Sequence, residues 1–292
     1  MQILDGKQTS LDIQQEIALQ VEDMLRNGKK KPHLAAILVG NNGASETYVG
    51  AKVRACEKVG FDSTLIRLDD TISQQELIDQ VEKINKNDDI DGLIVQLPLP
   101  SHIDELTVTK AIYPSKDVDG FHPENVGKMT LNIPTFLPAT PAGIIELIKR
   151  YSIETEGKHC VVIGRSNIVG LPMSILMARN TYPGNSTVTL THSRTKNLKE
   201  ICQSADILIA AIGRPDYVTE DMVKEGATVI DVGITRVKSD KTKSGWKLKG
   251  DVDYSAVAHK TSFITPVPGG VGPMTIAMLL KNTLSAVNGF GE

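Results

Sequence analysis

The sequence predicts a two-domain α/β protein in which each half carries its own mostly parallel sheet. Three observations carry this reading. Short apolar runs alternate with stretches of helical spacing in two separate series, a proline-rich interval of little periodicity lies between them, and 292 residues is about two domains' worth of chain. Hydrophobic residues make up 40% and charged residues 23%, which excludes a disordered polyelectrolyte. With 32 basic and 35 acidic residues the net charge is −3, so no broad positive field exists to gather nucleic acid or acidic lipid. The opening MQILDGKQTSLDIQQ has no apolar signal-like core, and the longest apolar runs are six residues, so neither a secretory leader nor a membrane span is expected. Cys56, Cys160 and Cys202 are odd in number and widely spaced, which argues against a disulfide framework or a zinc site and for a reducing, cytoplasmic setting with no bound metal.

In the first series Leu11, Ile13, Ile17, Val21, Met24 and Leu25 recur at three-to-four-residue spacing, predicting an amphipathic helix with Thr9 or Ser10 as N-cap and Gly28 as its stop. Leu34 to Val39 (LAAILV), closed by Gly40, Asn41, Asn42 and Gly43, reads as a buried strand and its turn. Ser45 then caps a helix to Val59, and Ser63 to Leu68 alternates as a strand. Ser73-Gln74-Gln75-Glu76 is a capping box opening a third helix to Asn85, because serine and glutamate each accept the other's backbone N–H. Gly92 to Leu97 is the next buried strand, stopped by Pro98 and Pro100. This β-α-β-α-β order demands crossover connections and a parallel sheet. Pro114 to Pro141 holds five prolines and reads as one long ordered loop ending at the domain seam, followed by a helix over Ala142 to Tyr151. The second series has strands at Cys160 to Ile163, Thr187 to Leu190, Ile207 to Ala211 and Thr228 to Val232, with helices from Pro172 and over Asn197 to Cys202. Asp240 to Gly250 is polar and turn-rich, a surface hairpin or loop.

Two turns in the second series have the chemistry of a dinucleotide site. Lys158 to Pro172 (KHCVVIGRSNIVGLP) is a strand, a turn of small residues, and a helix with proline in its first turn, so backbone N–H groups and a helix N-terminus can approach a pyrophosphate. Ser166 occupies the middle glycine position of the GxGxxG fingerprint, and an ordinary tight turn is the competing reading. After the next strand, Thr191-His192-Ser193-Arg194-Thr195 offers no carboxylate for a ribose 2′-hydroxyl. Ser193 and Arg194, with Arg165 from the first turn, suit a 2′-phosphate and hence NADP over NAD. Gly213 and Ile234 follow two further strands, where coenzyme-facing edges are expected.

In the first half Tyr48 and Lys52 are four apart and share a helix face. Lys52 lies among Val49, Ala51, Val53 and Ala55, so its ammonium is poorly solvated and its pKa is expected to fall toward the range useful for proton transfer; a surface lysine with a snorkelling stem fits the same spacing. Gln96 is the one polar side chain in Leu93 to Leu97, at the carboxyl end where open sheets bind ligands, and needs a partner: the Lys52 amine, a ligand, or a loop. Asp117 and Asp119 follow Lys116; one suits a solvated pair with that lysine, the other the donors of a heterocycle. Thr265 to Thr275 packs three prolines and three glycines before a helix to Val287, more than a simple connection needs, and is expected to approach a ligand.

In order and spacing, YVGAKVRACEKVG, DGLIVQLPLP, PSKDVDGFHPENVGKM, PATPAG, GRSNIVGLPM, HSRT and TPVPGGVGPMT resemble the bifunctional methylenetetrahydrofolate dehydrogenase/methenyltetrahydrofolate cyclohydrolase family over nearly the whole chain. The resemblance implies NADP-dependent oxidation of 5,10-methylenetetrahydrofolate to 5,10-methenyltetrahydrofolate, then hydrolysis to 10-formyltetrahydrofolate. It implies that Lys52 is the catalytic base, that Tyr48 and Gln96 orient or tune it, and that Asp119 binds the pterin, with Leu97, Pro98, Pro268, Gly269, Gly270 and Val271 also at the substrate. Gly164, Arg165, Ser166, Ser193, Arg194, Gly213 and Ile234 fall to NADP. The implied architecture is an α/β three-layer catalytic domain over residues 1–140, a Rossmann-like NADP domain over 141–273, a cleft between them, and a helix over 274–292 packing back on the first domain. A homodimer is implied as well. Ala139 stands where many members have cysteine, and the chain is too short for the ligase domain of trifunctional relatives. An NADP-dependent two-domain dehydrogenase of a small acid would share the glycine turn and Arg194, yet has no need of Tyr48, Lys52 and Gln96 together with the proline–glycine loop; a nucleotide-binding sensor would not need Lys52 at all.

Overall fold

The computed structural model describes residues 1–240, 242 and 245–290. The chain runs β1 (Gln2–Ile3), α1 (Gly6–Arg26), β2 (His33–Val39), α2 (Gly43–Val59), β3 (Asp62–Leu68), α3 (Gln74–Asn85), β4 (Gly92–Val95), α4 (Glu105–Ala111), α5 (Pro123–Thr130) and α6 (Ala139–Arg150). It continues with β5 (His159–Ile163), α7 (Gly170–Ala178), β6 (Thr187–Thr191), α8 (Leu198–Gln203), β7 (Ile207–Ala210), β8 (Thr228–Asp231), β9 (Thr235–Lys238), β10 (Trp246–Lys249), α9 (Tyr254–Val257), β11 (Phe263–Ile264) and α10 (Val271–Asn288). Two compact units result: Met1–Ser10 with Thr140–Thr275, and Leu11–Ala139 with the chain from Ile276 on.

The second of these units is built on a parallel sheet of order β3-β2-β4. Leu34 to Val39 are all buried, the near-continuous apolar run of a strand covered on both faces. The capping box forms: Ser73 Oγ accepts the Glu76 N–H at 3.2 Å, and Glu76 Oε2 accepts the Ser73 N–H at 2.9 Å. Other ends differ from the sequence reading. Asp5 Oδ1 accepts the Gln8 N–H at 2.9 Å, so α1 begins before Thr9 and Ser10, which lie inside it and donate to the Asp5 and Pro273 carbonyls. Asn42, not Ser45, caps α2, its Oδ1 accepting the Ser45 N–H at 3.2 Å. The interval read as one loop contains α5, with Pro123 in its first turn and His122 Nδ1 accepting the Glu124 N–H. Eight residues burying only Asn125 and Met129 leave too little period to read. α10 closes this unit, where Asn282 Nδ2 donates to the Val118 and Leu137 carbonyls at 2.8 and 2.9 Å.

The other unit carries a parallel sheet of order β1-β11-β8-β7-β5-β6. Val161, Ile163, Leu208 and Ala210 enter one core cluster and Cys160, Val162, Ile207 and Ile209 another, so both faces are covered. The sequence reading placed residues 1–10 with the first domain. Instead β1 pairs with β11 through Gln2↔Phe263 and Ile3↔Ile264, a two-residue strand too short to show alternation. β9 and β10 form an antiparallel hairpin whose second strand lies in the segment read as hairpin or loop, while its first, β9, precedes that segment; Lys241, Lys243 and Ser244 of the segment lie outside the described residues, as do residues 291 and 292 of the predicted last helix.

Both sheets share one topological feature. The chain leaves the central strand to one side and returns on the other, β2 to β3 then β4, and β5 to β6 then β7. The carboxyl ends of β2 and β4, and of β5 and β7, therefore frame switch points, where ligands bind in sheets of this kind.

Candidate active site

At the β2/β4 switch point Lys52, 8% exposed, projects from α2. Its Nζ donates to Gln96 Oε1 at 3.2 Å, while Gln96 Nε2 donates to the Leu97 carbonyl at 2.6 Å. The ladder reaches Gln96 itself, whose N–H bonds the Ile37 carbonyl at 2.9 Å and so fixes where the side chain leaves the sheet. Of the readings open to Lys52 and Gln96 from sequence, the structure has the buried lysine paired with the strand-end glutamine. Tyr48 lies one turn earlier on α2, 38% exposed, with its phenol pushed up by burial; among the described residues it makes no hydrogen bond to Lys52.

The segment after α4 reaches the same place because the Leu93 N–H bonds the Lys116 carbonyl, a one-residue parallel bridge beside β4. Burial pushes the half-buried Asp119 carboxyl above the usual carboxylate range, opposed by the positive charge of Lys52. Asp117 is not the solvated partner of Lys116, whose Nζ bonds the Ile84 and Asn87 carbonyls instead. It is buried, its Oδ2 accepting the His122 N–H at 2.7 Å and Asn125 Nδ2 at 2.8 Å. Burial outweighs those donors and pushes its carboxyl up to about 7. Leu97 is half-buried and Pro98 exposed beside Gln96.

At the β5/β7 switch point Gly164 has φ +111°, and a Cβ there would run into the Ala211 carbonyl; one on Gly170 would run into the Gly164 carbonyl. Only glycine allows this approach of strand end, turn and α7. Ser166 Oγ accepts the Val169 N–H at 3.2 Å, holding the turn, while Arg165 and Ser166 face solvent. Ile163 pairs with Thr191, so Ser193 and Arg194 leave the neighbouring strand end, both exposed. Their turn is tied by the His192 N–H to Thr195 Oγ1 at 2.9 Å and the Arg194 N–H to His192 Nδ1 at 3.2 Å. A glycine cradle at a helix N-terminus beside an exposed guanidinium and hydroxyl fits a phosphorylated dinucleotide. Gly213 and Ile234 are exposed after β7 and β8. In the proline–glycine loop Pro268 is exposed, Gly269 is held by the Lys7 N–H at 2.8 Å, and Gly270 is buried; Val271 buries its side chain in the core, leaving only its backbone available to a ligand.

Residues 4–119 match the sequence model of the tetrahydrofolate dehydrogenase/cyclohydrolase catalytic domain, and residues 138–290 that of the NAD(P)-binding domain of the same family. The bifunctional protein FolD of Cytophaga hutchinsonii is 64% identical over 286 residues, 98% of this chain and 99% of that protein. This chain belongs to the tetrahydrofolate dehydrogenase/cyclohydrolase family. Among solved structures of its members, the bifunctional FolD enzyme of Campylobacter jejuni superposes with TM-score 0.92 at 46% identity over 99% of both chains. The Trypanosoma brucei dehydrogenase-cyclohydrolase, solved with NADP and an inhibitor, superposes with TM-score 0.92 at 36% identity over 97% of this chain and 96% of that one.

Sequence reasoning missed the loop-holding part of three residues at these two switch points. Asn282 clamps the strip bearing Asp119 from 164 residues away, and Asp231 and Asp251 stand behind the turns after β7 and β8. Each bonds backbone rather than a side chain of complementary type, and pairing of that kind leaves no spacing signal. Among the described residues there is no cluster of three or more metal-ligating side chains, and no helix is long and apolar enough to cross a membrane.

Proposed function

We propose that this chain performs two sequential steps on a one-carbon folate, with Lys52 as the base. In the first, 5,10-methylenetetrahydrofolate loses hydride from its one-carbon bridge and becomes the 5,10-methenyl cation. In the second, water adds to that carbon and gives up a proton, the remaining hydroxyl proton passes to N5 as the carbonyl forms and the bond to N5 breaks, and 10-formyltetrahydrofolate results. NADP, when bound, supplies the hydride acceptor. The residues that fit it are Gly164, Arg165, Ser166, Gly213 and Ile234 along the crevice, with Ser193 and Arg194 on the 2′-phosphate.

The observation that carries the proposal is a buried amine held 3.2 Å from Gln96 at a sheet switch point, with the Asp119 carboxyl close enough to feel its charge. Hydride transfer asks the chain mainly for alignment, whereas hydration asks for a proton acceptor at the one-carbon unit. Lys52 takes the proton released as water adds, Gln96 fixes its nitrogen, Tyr48 lies on the same helix face, and Asp119 accepts the N–H donors of the pterin. Leu97 and Pro98 are assigned to the substrate in the same reading, and so, by the family resemblance, are Pro268, Gly269, Gly270 and the backbone of Val271. A homodimer and a cytoplasmic setting belong to the same proposal; the setting is supported by three buried free thiols whose burial pushes them up to about 12, whereas the dimer rests on the family resemblance alone.

Incubating the protein with methylenetetrahydrofolate and NADP should give NADPH and then 10-formyltetrahydrofolate. Reduction of NADP by a small hydroxy acid, with no turnover of the folate, would replace this function with that of a small-acid dehydrogenase.

A further inference from the structure

We infer that Asp251, backed by Asp231, is a positioning residue for the coenzyme: it holds the turn after β7 from behind and sets one wall of the crevice. This rests on the coenzyme reading above. Asp251 is fully buried, and its carboxylate accepts three consecutive backbone donors, the N–H groups of Ile212 and Gly213 at 2.7 and 3.1 Å on Oδ2 and of Arg214 at 2.7 Å on Oδ1. Those three residues form the turn at the carboxyl end of β7, one side of the switch point. With the N–H groups of Ile212, Gly213 and Arg214 engaged on Asp251, this turn does not offer them to an anion. Its contribution to a dinucleotide is shape, fixed before binding.

Asp231 extends the brace to the next strand. Its Oδ1 accepts the N–H groups of Asp251 at 2.8 Å and Gly233 at 2.9 Å, and its Oδ2 that of Val252 at 3.0 Å. One pair of carboxylates thereby ties the turn bearing Gly213 to the turn leading to Ile234. The surrounding chain makes room for it. A Cβ on Gly233 would fall within the Asp251 carboxylate, and one on Gly250 within that of Asp231. Burying two acids side by side costs free energy that a neutral core would not, so the arrangement is explained by what the acids hold.

The test is Asp251→Asn, which keeps the shape, replaces one acceptor oxygen by a donor, and so faces at least one of the three N–H groups with an NH2. Titrating NADPH by its fluorescence should show Kd raised about tenfold or more, and the KM for NADP should rise with it while kcat at saturating coenzyme stays within about twofold. Hydrolysis of methenyltetrahydrofolate without coenzyme, together with Tm, reports on folding. Asp251→Ser, smaller and able to accept fewer of the N–H groups, serves as the second variant and should show the same selective loss. A folded variant that binds NADPH as the parent does overturns the inference, and so does a loss of hydrolysis equal to the loss of coenzyme affinity in both variants. Arg194→Ala separates the two levels. If it weakens NADP while Asp251→Asn does not, only the brace falls; if neither affects coenzyme binding, the coenzyme site itself has been misplaced.

Discussion

Lys52→Met removes the amino group while keeping most of the side chain's length and apolar volume. Two effects follow from the geometry. Gln96 Oε1 loses the donor 3.2 Å away in a half-buried setting, and an unsatisfied polar group costs about 1–3 kcal/mol of stability. Hydration of the methenyl carbon loses its positioned base, worth about 10²- to 10⁴-fold in rate, or roughly 3–5 kcal/mol of barrier. Asp119 changes as well. Lys52 is the charge that opposes the burial raising its carboxyl, so the variant's Asp119 should hold its proton to higher pH. The assay follows disappearance of methenyltetrahydrofolate absorbance, with NADPH fluorescence titrated on the same preparation and the denaturation midpoint measured alongside. Coenzyme binding should be unchanged, because none of the residues proposed for the coenzyme lies on α2 or β4. A folded Lys52→Met protein that hydrolyses the methenyl substrate within threefold of the parent would refute Lys52 as the base, whatever its effect on stability.

Two substitutions probe other parts of the argument. Arg194→Ala should raise Kd for NADP by about 10- to 100-fold, the worth of a charge-assisted pair, and that for NAD by less than threefold; equal losses would place the 2′-phosphate elsewhere. Asp117, held at about 7 by burial against an unfolded value near 3.8, contributes stability that is complete below about pH 4 and is lost as pH rises through 7, up to ~4 kcal/mol, so Asp117→Asn should flatten the decline of Tm between pH 5 and 8 and an unaltered decline would refute that assignment.

What sequence could show was set by how local each interaction is. β2 and β4 were legible because strands buried on both faces are nearly unbroken apolar runs, and the α3 start because a capping box lies within four residues. Lys52 and Gln96 were each conspicuous, a lysine among small apolar residues and a lone amide ending an apolar strand, although 44 positions separate them. Their hydrogen bond was only one reading among several. β1 left no trace, since two residues cannot alternate and its partner lies at the far end of the chain. Asp251 looked like any acid in a polar stretch; its role depends on meeting backbone 37 to 39 residues away, which only the folded chain brings near. Asp117 and Asp119 looked interchangeable, and folding gave them opposite tasks.

That division follows from what loops at the carboxyl ends of parallel strands lack. Beyond the ladder their N–H groups have no regular partner, yet a ligand-bearing loop must be fixed to within a fraction of an ångström. A carboxylate offers about four lone-pair sites on two atoms, about twice what a hydroxyl or a single amide oxygen offers, and so can satisfy several donors at once. One such acid stands behind each principal loop here, Asp117 behind the strip from Val118 to His122 and Asp251 behind the turn from Ile212 to Arg214. Asp117 faces donors from Asn125, His122 and Phe121, and burial prevails over them, pushing it up to about 7. Asp119, two residues on, is raised by burial as well, and the charge of Lys52 opposes that rise. The buried acid is thereby tied to the loop's own backbone, whereas the charge of the half-buried one depends on the residue assigned the chemistry. With Asp119 proposed as the pterin's acceptor, a substitution at Lys52 should reach substrate binding through that carboxyl, and the effects of changing the two residues should not be additive.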